Sequence, residues 1–277
     1  MAIKDLAVAY NGSGNADVAV DLALEMCRKY GAALTGVYAS NPVRFEADVA
    51  RWISDDVMQT LRNAEAAVTK SIEESFRRRV GSALPGGGVA EFVAQEGPAN
   101  VVLARQARYH DILLMGQFSA PADAGRPIRA EDLVLRTGRP LVIVPHGYQL
   151  RPFQEYAVVG WDGSRQAARA LSDAMQILET KARLDVVTVR AQGDIRPPPK
   201  SSPVVRHLER HGVEARHIAL TATREGIGQT LLDYCTENLP DVLVMGAYGH
   251  TKLREDLFGG VTRRVMERMT VPVLISH

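Results

Sequence analysis

The sequence contains little cysteine and no long apolar run. Its 277 residues include only two cysteines, Cys27 and Cys235, each among apolar residues in a helical pattern. Reduced structural thiols usually occupy such positions, so we expect no disulfide. No apolar stretch approaches the roughly 20 residues that span a bilayer, and the first ten residues lack the pattern of a secretory signal peptide. These absences argue against a disulfide-stapled secreted domain and a membrane-spanning protein, and they predict a cytoplasmic location.

The sequence also lacks a charge of one dominant sign. It carries 33 basic and 32 acidic residues, for a net charge of +1. This balance gives no electrostatic reason to expect nucleic acid or an anionic membrane as a partner. Hydrophobic residues make up 46% of the chain and charged residues 23%, a composition typical of globular protein and not of disorder.

Three pairs of segments show that the chain contains two copies of one unit. Within each pair, the order of apolar, glycine and helix-forming residues is the same. The paired segments begin at Leu6 and Tyr156, at His110 and Pro240, and at Leu135 and Glu267. The polar, turn-rich segment 146–152 lies between the copies. The sequence therefore predicts two tandem domains, residues 1–148 and 152–277.

Each copy alternates short apolar runs with helical patterns. This alternation predicts right-handed crossovers and a parallel sheet with helices on both faces, an α/β fold. The predicted strands are Leu6–Tyr10, Ala33–Tyr38, Val89–Ala94, Ile112–Met115 and Leu141–Val144, then Ala157–Gly160, Leu184–Val189, Ala215–Leu220, Val242–Met245 and Val271–Ile275.

The most informative stretch lies near the end of the second copy. A buried apolar run ends at Gly246, Gly249 follows after two residues, and the pair Gly259 and Gly260 follows after nine more. A helical pattern begins at that pair. Because the first N–H groups of a helix are unsatisfied and its dipole is positive there, a glycine-lined helix start is a suitable seat for phosphate.

This order of strand, G-x2-G, nine residues, G-G, helix and final strand V-P-V-L-I resembles the nucleotide-binding signature of the universal stress protein family. The resemblance covers nearly the whole chain and implies five parallel strands in the order 3-2-1-4-5 in each copy. It also implies that the second copy binds an adenine nucleotide, ATP, with or without magnesium, and acts in stress responses through partner proteins. The family pattern has Ser or Thr where this chain has Gly260, although Thr262 offers a hydroxyl two positions later.

The resemblance assigns further residues to the nucleotide. Asp162 would lie against the base and sugar, although an Asp-Gly-Ser run also caps a helix. Val187 would form an apolar wall for adenine or belong only to the core, and Tyr248 would pack on the ribose or lie on the surface. The complete predicted site is Asp162, Val187, Met245, Gly246, Tyr248, Gly249, Gly259, Gly260, Val261 and Thr262.

The first copy departs from the pattern. Asn11 replaces the aspartate, Ser119 replaces the second glycine, and no glycine pair follows nine residues later. Each change removes a different part of the site, so we expect one nucleotide per chain.

Two other functions remain open. A slow ATPase would need groups that orient water and stabilise charge on the phosphates, for which the loop offers His250, Glu255 and Asp256 without fixing their geometry. A ligand-free scaffold, in which the glycines only allow the chain to turn, is the second alternative. A dinucleotide-dependent dehydrogenase is disfavoured because no G-x-G-x-x-G follows the first strand of either copy.

The last strand of each copy predicts how the copies meet. In a 3-2-1-4-5 sheet these strands would be edges, yet both are strongly apolar, and an apolar edge invites pairing. Pro140 and Pro272 precede them, which an edge position tolerates. We therefore expect the copies to pack through these strands as an internal pseudo-dimer, and whole chains to form a homodimer.

Overall fold

The computed structural model describes residues 3–40, 52–81, 90–117, 128, 130–193, 202–247 and 260–277. Within them, strands and helices alternate along both halves of the chain. The first half contains β1 (Asp5–Ala9), α1 (Gly14–Tyr30), β2 (Ala33–Ser40), α2 (Asp55–Val80), β3 (Ala90–Glu96), α3 (Ala99–Ala107), β4 (Ile112–Gly116), α4 (Ala130–Thr137) and β5 (Leu141–Val144). The second half contains β6 (Tyr156–Gly160), α5 (Arg165–Leu178), β7 (Arg183–Arg190), α6 (Pro203–Arg210), β8 (Ala215–Thr221), α7 (Ile227–Asn238), β9 (Val242–Gly246), α8 (Gly260–Arg268) and β10 (Val273–Ser276).

The described strands form one ten-stranded sheet. Its order is β3-β2-β1-β4-β5-β10-β9-β6-β7-β8, so each half has the order 3-2-1-4-5. Pairing is parallel within each half and antiparallel between β5 and β10. The predicted fold class is therefore confirmed. The predicted strand boundaries agree with the observed ones to within two residues.

The two halves meet at the middle of this sheet. Val142 of β5 lies opposite Leu274 of β10, and Ile143 lies opposite Val273. Val142 is 2% exposed and Val273 is fully buried. The pairing expected from the apolar character of these strands is present, because it removes both apolar edges from water.

Helices cover both faces of the sheet, and the side chains of each strand alternate between them. One buried cluster gathers residues from α1, α2, α5 and α6, and the other gathers residues from α3, α4, α7 and α8. Cys27 and Cys235 are buried in these layers as free thiols. Burial raises the pKa of Cys27 to about 11 and that of Cys235 to about 12, so both stay protonated near neutral pH. None of the helices in the described ranges is long and apolar enough to cross a membrane.

The helix after each first strand begins in the same way. Ser13 precedes α1 and its hydroxyl accepts from the amide of Ala16, while Ser164 precedes α5 and accepts from the amide of Ala167. Each serine satisfies an amide that the helix itself leaves without a partner. The sequence pattern Asx-Gly-Ser therefore sets the direction in which both helices leave the sheet.

Candidate functional site

A cavity of about 680 Å³ opens at the carboxyl ends of the strands of the second half. It lies where the strand order reverses, between β6 and β9, the position at which open α/β sheets bind ligands. Its volume falls within the roughly 300–1,000 Å³ of small-molecule sites. The wall consists of the ends of β6, β7 and β9, the loop after β6, and the starts of α7 and α8.

The inner wall of the cavity is apolar. Val187, Leu231 and Met245 line it, and each is at most 6% exposed. These residues also belong to the core cluster beneath α7 and α8, so the wall is held by the packing of the whole half. A flat apolar ring system placed here would bury its faces without displacing a polar group.

The loop after β6 places Asp162 at the rim of the cavity. Its Oδ1 accepts from the amide of Ser164 at 2.9 Å, and Gly163 adopts φ +76°, which favours glycine. The helix-start role that an Asp-Gly-Ser run allows is thus present. Asp162 also lines the cavity, so a ligand contact and a structural contact are compatible in one side chain.

Gly246 at the end of β9 has a packing reason to be glycine. A Cβ atom there would lie 2.4 Å from the backbone nitrogen of Ala167 in the first turn of α5. Gly116, the equivalent residue of β4, would meet the carbonyl oxygen of Asn15 at 2.3 Å. Both halves keep this glycine because the strand end touches a helix, so Gly246 alone does not indicate a ligand.

The start of α8 forms the opposite side of the cavity. Gly260 and Thr262 line it, and Thr262 is 4% exposed. A Cβ atom at Gly260 would meet no atom of the described residues within 4 Å, so those residues leave room for a serine. The helix lies close to α7 because Gly228 permits it: a Cβ atom at Gly228 would lie 3.1 Å from the Cβ of Arg264.

The structure brings together the predicted site residues that it describes. All seven of them line this cavity: Asp162, Val187, Met245, Gly246, Gly260, Val261 and Thr262. Three further predicted residues, Tyr248, Gly249 and Gly259, lie outside the described residues. So do Ser119 and the three loop residues considered for hydrolysis, His250, Glu255 and Asp256.

Comparison with known proteins points to one family. The model of the universal stress protein family matches residues 157–277, the half that contains the cavity. This half of the chain is therefore similar to the universal stress protein family. The first half has the same strand order as this half.

Individual proteins are similar to larger parts of the chain. Universal stress protein Slr1230 of Synechocystis sp. is 24% identical over 169 residues, a match that covers 59% of this chain and 57% of that protein. A solved universal stress protein of Archaeoglobus fulgidus has the same fold with a TM-score of 0.74 at 17% identity, covering 98% of this chain and 97% of its own. A functionally unknown protein of Pseudomonas aeruginosa has a TM-score of 0.58 at 14% identity, with coverages of 99% and 92%. These likenesses to solved structures establish the two-half fold.

The cavity also has residues that the sequence patterns did not indicate. Trp161 stands directly before Asp162, and Arg190 is the last residue of β7, one position beyond the predicted strand. The sequence feature that could have indicated both residues is their position at the end of the first or second strand of the second half. A second cavity of about 490 Å³ adjoins the first and contains Arg264 of α8 and Glu225.

A buried carboxylate lies in the sheet below the cavity. Asp185 on β7 is fully buried and accepts hydrogen bonds from the hydroxyls of Tyr156 and Tyr234 at 2.8 and 2.9 Å. Arg216 and Arg183 also donate to it. Burial alone would raise the pKa of Asp185, but these hydrogen bonds together lower it below its usual value. Because its donors are side chains of this sheet and of α7, this group stabilises the second half and is no ligand contact of the cavity.

Proposed function

We propose that this chain is a universal stress protein that binds one adenine nucleotide, ATP, in the cavity of its second half and acts in a stress response through partner proteins. The observation that carries the proposal is the shape of the cavity. An apolar wall, a carboxylate at the rim and a helix start with a buried hydroxyl line one space of about 680 Å³.

The three parts of the cavity suit the three parts of a nucleotide. Adenine would pack on Val187, Leu231 and Met245, which are already desolvated. The ribose hydroxyls would donate to the carboxylate of Asp162. The phosphates would accept hydrogen bonds from the first amides of α8 and from the Thr262 hydroxyl, where the helix dipole is positive.

Arg190 adds a positive charge to the same cavity. A guanidinium presents several donors to phosphate oxygens, and hydrogen bonds to charged groups are the stronger kind. The donors for phosphate therefore come from two sides of the cavity, the end of β7 and the start of α8.

Isothermal titration of nucleotide-free protein tests the proposal. We expect ATP to saturate at one molecule per chain, and GTP and CTP to bind more weakly because the wall gives adenine its contacts. The titration is repeated with and without magnesium. Absence of heat with every nucleotide, together with an unchanged melting temperature at millimolar ATP, would favour the ligand-free scaffold.

Two isosteric variants separate ligand contact from structure. Asp162→Asn keeps the oxygen that accepts from Ser164 and removes the charge, and Thr262→Val removes only the hydroxyl. Each lost hydrogen bond to a charged group is worth roughly 1.5–3 kcal/mol, so we expect Asp162→Asn to weaken ATP about tenfold or more with little change in melting. Asp233→Asn, on the exposed side of α7, is the matched control and should bind ATP like the parent. Parental affinity in both site variants would contradict the assignment of the cavity.

A further inference from the structure

One polar contact between the two halves involves the residue that follows β4. Gln117 stands directly after Gly116, where the second half has Ala247 after Gly246. Its side-chain Nε2 donates to the carbonyl oxygen of Met266 at 2.7 Å and lies 3.5 Å from that of Glu267. Both acceptors lie in the last turn of α8, in the other half of the chain.

The orientation of the Gln117 amide is fixed from both sides. Its Oε1 accepts from the backbone amide of His146 at 2.9 Å, so its nitrogen must face the two carbonyls of α8. The backbone of Gln117 is also held. Its backbone N–H donates to the carbonyl oxygen of Val144 at 2.7 Å, and its backbone carbonyl accepts from the side-chain amide of Asn15 at 3.0 Å. The side chain is thus a fixed part of the first half that reaches the second.

The end of α8 that Gln117 contacts has carbonyl groups that need partners. The last four carbonyls of a helix have no partner within it, and Gln117 supplies donors to this turn. The helix has nine residues and is therefore roughly 13 Å long. Its other end carries Gly260 and Thr262, which line the cavity. If α8 rotated about its C-terminal end, the donors at its start would move in proportion to this length.

From this geometry we propose that Gln117 is a positioning residue: the first half, through this one side chain, fixes α8 and thereby sets the nucleotide affinity of the second half. The inference rests on the proposed nucleotide site. The second half has no equivalent of this contact at Ala247, because alanine has no side-chain amide with which to hold α4. The first half, which lacks the family's glycine pattern, would then hold α8 in place in the second half, which has that pattern.

Gln117→Glu is the sharpest test. The variant keeps an oxygen that accepts from His146 but replaces the donor to α8 with a carboxylate. That charge would face two carbonyl oxygens at the negative end of a helix dipole. We expect the dissociation constant for ATP to rise about tenfold, with the stoichiometry still one. Gln117→Ala, which removes the contact without adding charge, should weaken ATP about fivefold.

Tyr30→Phe is the matched control. It removes another hydrogen bond between the halves, from the Tyr30 hydroxyl to Thr180 Oγ1 at 3.2 Å, without touching α8. We expect a comparable loss of melting temperature in Tyr30→Phe and Gln117→Ala, but parental ATP affinity only in Tyr30→Phe. If the melting temperature of Gln117→Glu lies far below that of Tyr30→Phe, the ATP affinity of Tyr30→Phe is compared with that of Gln117→Ala instead.

Hydrogen exchange supplies a readout that a merely structural role would not change. Coupling between two regions is reciprocal, so ATP bound at α8 should slow exchange of the His146 amide, which bonds to Gln117. This slowing should disappear in Gln117→Glu, although the acceptor for His146 remains. Parental ATP affinity in both Gln117 variants would overturn the inference and leave the nucleotide site standing. Absence of ATP binding by the parent protein would instead reject the site and, with it, the inference.

Discussion

The two halves have the same turn after their first strand, with an amide in one and a carboxylate in the other. In the first half, Asn11 Oδ1 accepts from the amide of Ser13 at 3.0 Å; in the second, Asp162 Oδ1 accepts from that of Ser164 at 2.9 Å. Gly12 and Gly163 have nearly equal φ values of +78° and +76°. An amide and a carboxylate therefore do the same structural work. At this turn, the charge of Asp162 is what distinguishes the second half from the first.

The ends of the fourth strands differ more. Gly116 and Gly246 are both needed where a strand end touches a helix, yet the next residue is Gln117 in one half and Ala247 in the other. Gln117 bonds across the sheet, whereas the Ala247 carbonyl accepts from His277 within its own half. The duplication has kept the frame of the sheet and changed what the strand ends contact.

The largest effect should come from a charge placed at the seam, the antiparallel pairing of β5 and β10 that joins the halves. Val273→Lys would bury an ammonium between β5 and β9 with no partner, at a cost of several kcal/mol. Against a total stability of about 5–15 kcal/mol, we expect melting to fall by roughly 10 °C and the protein to aggregate. Val101→Lys, at a position 49% exposed on α3, is the control. Normal solubility and melting of Val273→Lys would mean that the halves do not depend on this seam.

A smaller loss of stability is expected from substitutions of buried polar residues inside each half. Asp185 and Thr35 occupy corresponding positions, opposite Val158 and Ala7. Asp185→Ala leaves Arg216 and two tyrosine hydroxyls without their shared acceptor, so we expect a loss of about 3 kcal/mol in urea unfolding. Thr35→Ala should cost about 1 kcal/mol, because only one hydroxyl is removed. Equal losses would show that the carboxylate network adds nothing specific to the second half.

The contribution of Asp185 to stability should depend on pH, whereas that of Thr35 should not. The folded state lowers the pKa of Asp185, so its contribution is complete above the unfolded value of about 3.9. It is lost as the pH falls through the lower folded value. The stability difference between parent and Asp185→Ala should therefore be constant from pH 7 to about pH 5 and narrow below about pH 4. A difference that widens in acid would reverse the assigned sign.

A change at the start of α8 should have a modest effect in the opposite direction. The described residues leave room for a side chain at Gly260, and the family pattern has Ser or Thr there. Gly260→Ser would add a hydroxyl donor beside the proposed phosphates, worth about 1 kcal/mol, and should tighten ATP about fivefold in titration. Gly260→Ala adds the same bulk without the hydroxyl and should not tighten binding. Tightening by both would indicate that helix stability, and not the hydroxyl, limits affinity.

Sequence patterns predicted the parts of this molecule that local physics decides. Apolar runs ending at glycine located the strands, and the apolar character of β5 and β10 predicted their pairing. The spacing of the glycines also led to residues that line one cavity. The patterns missed Gln117, whose contact lies in the other half, and Arg190, which lines the cavity one position beyond the predicted strand, because both depend on where a strand end lies in three dimensions. Gly246, predicted as a site residue, lines the cavity and also has a packing reason to be glycine, so its ligand contact stays a prediction.

No effect on ATP binding is expected when a carboxylate is placed in the first half at the position of Asn11. Asn11→Asp should fold normally, since Asp162 shows that this turn accepts a carboxylate oxygen as the acceptor for the serine amide. It should not create a second site. The carboxylate would contact only the ribose, whereas the phosphate donors need a helix start like that of α8, and the sequence of the first half has no glycine pair there. Gln117 also continues to hold α8, so the existing site should be unaffected. Titration should still saturate at one ATP per chain with parental affinity. Saturation at two would show that the loss of one carboxylate, and not of the helix start, separates the two halves.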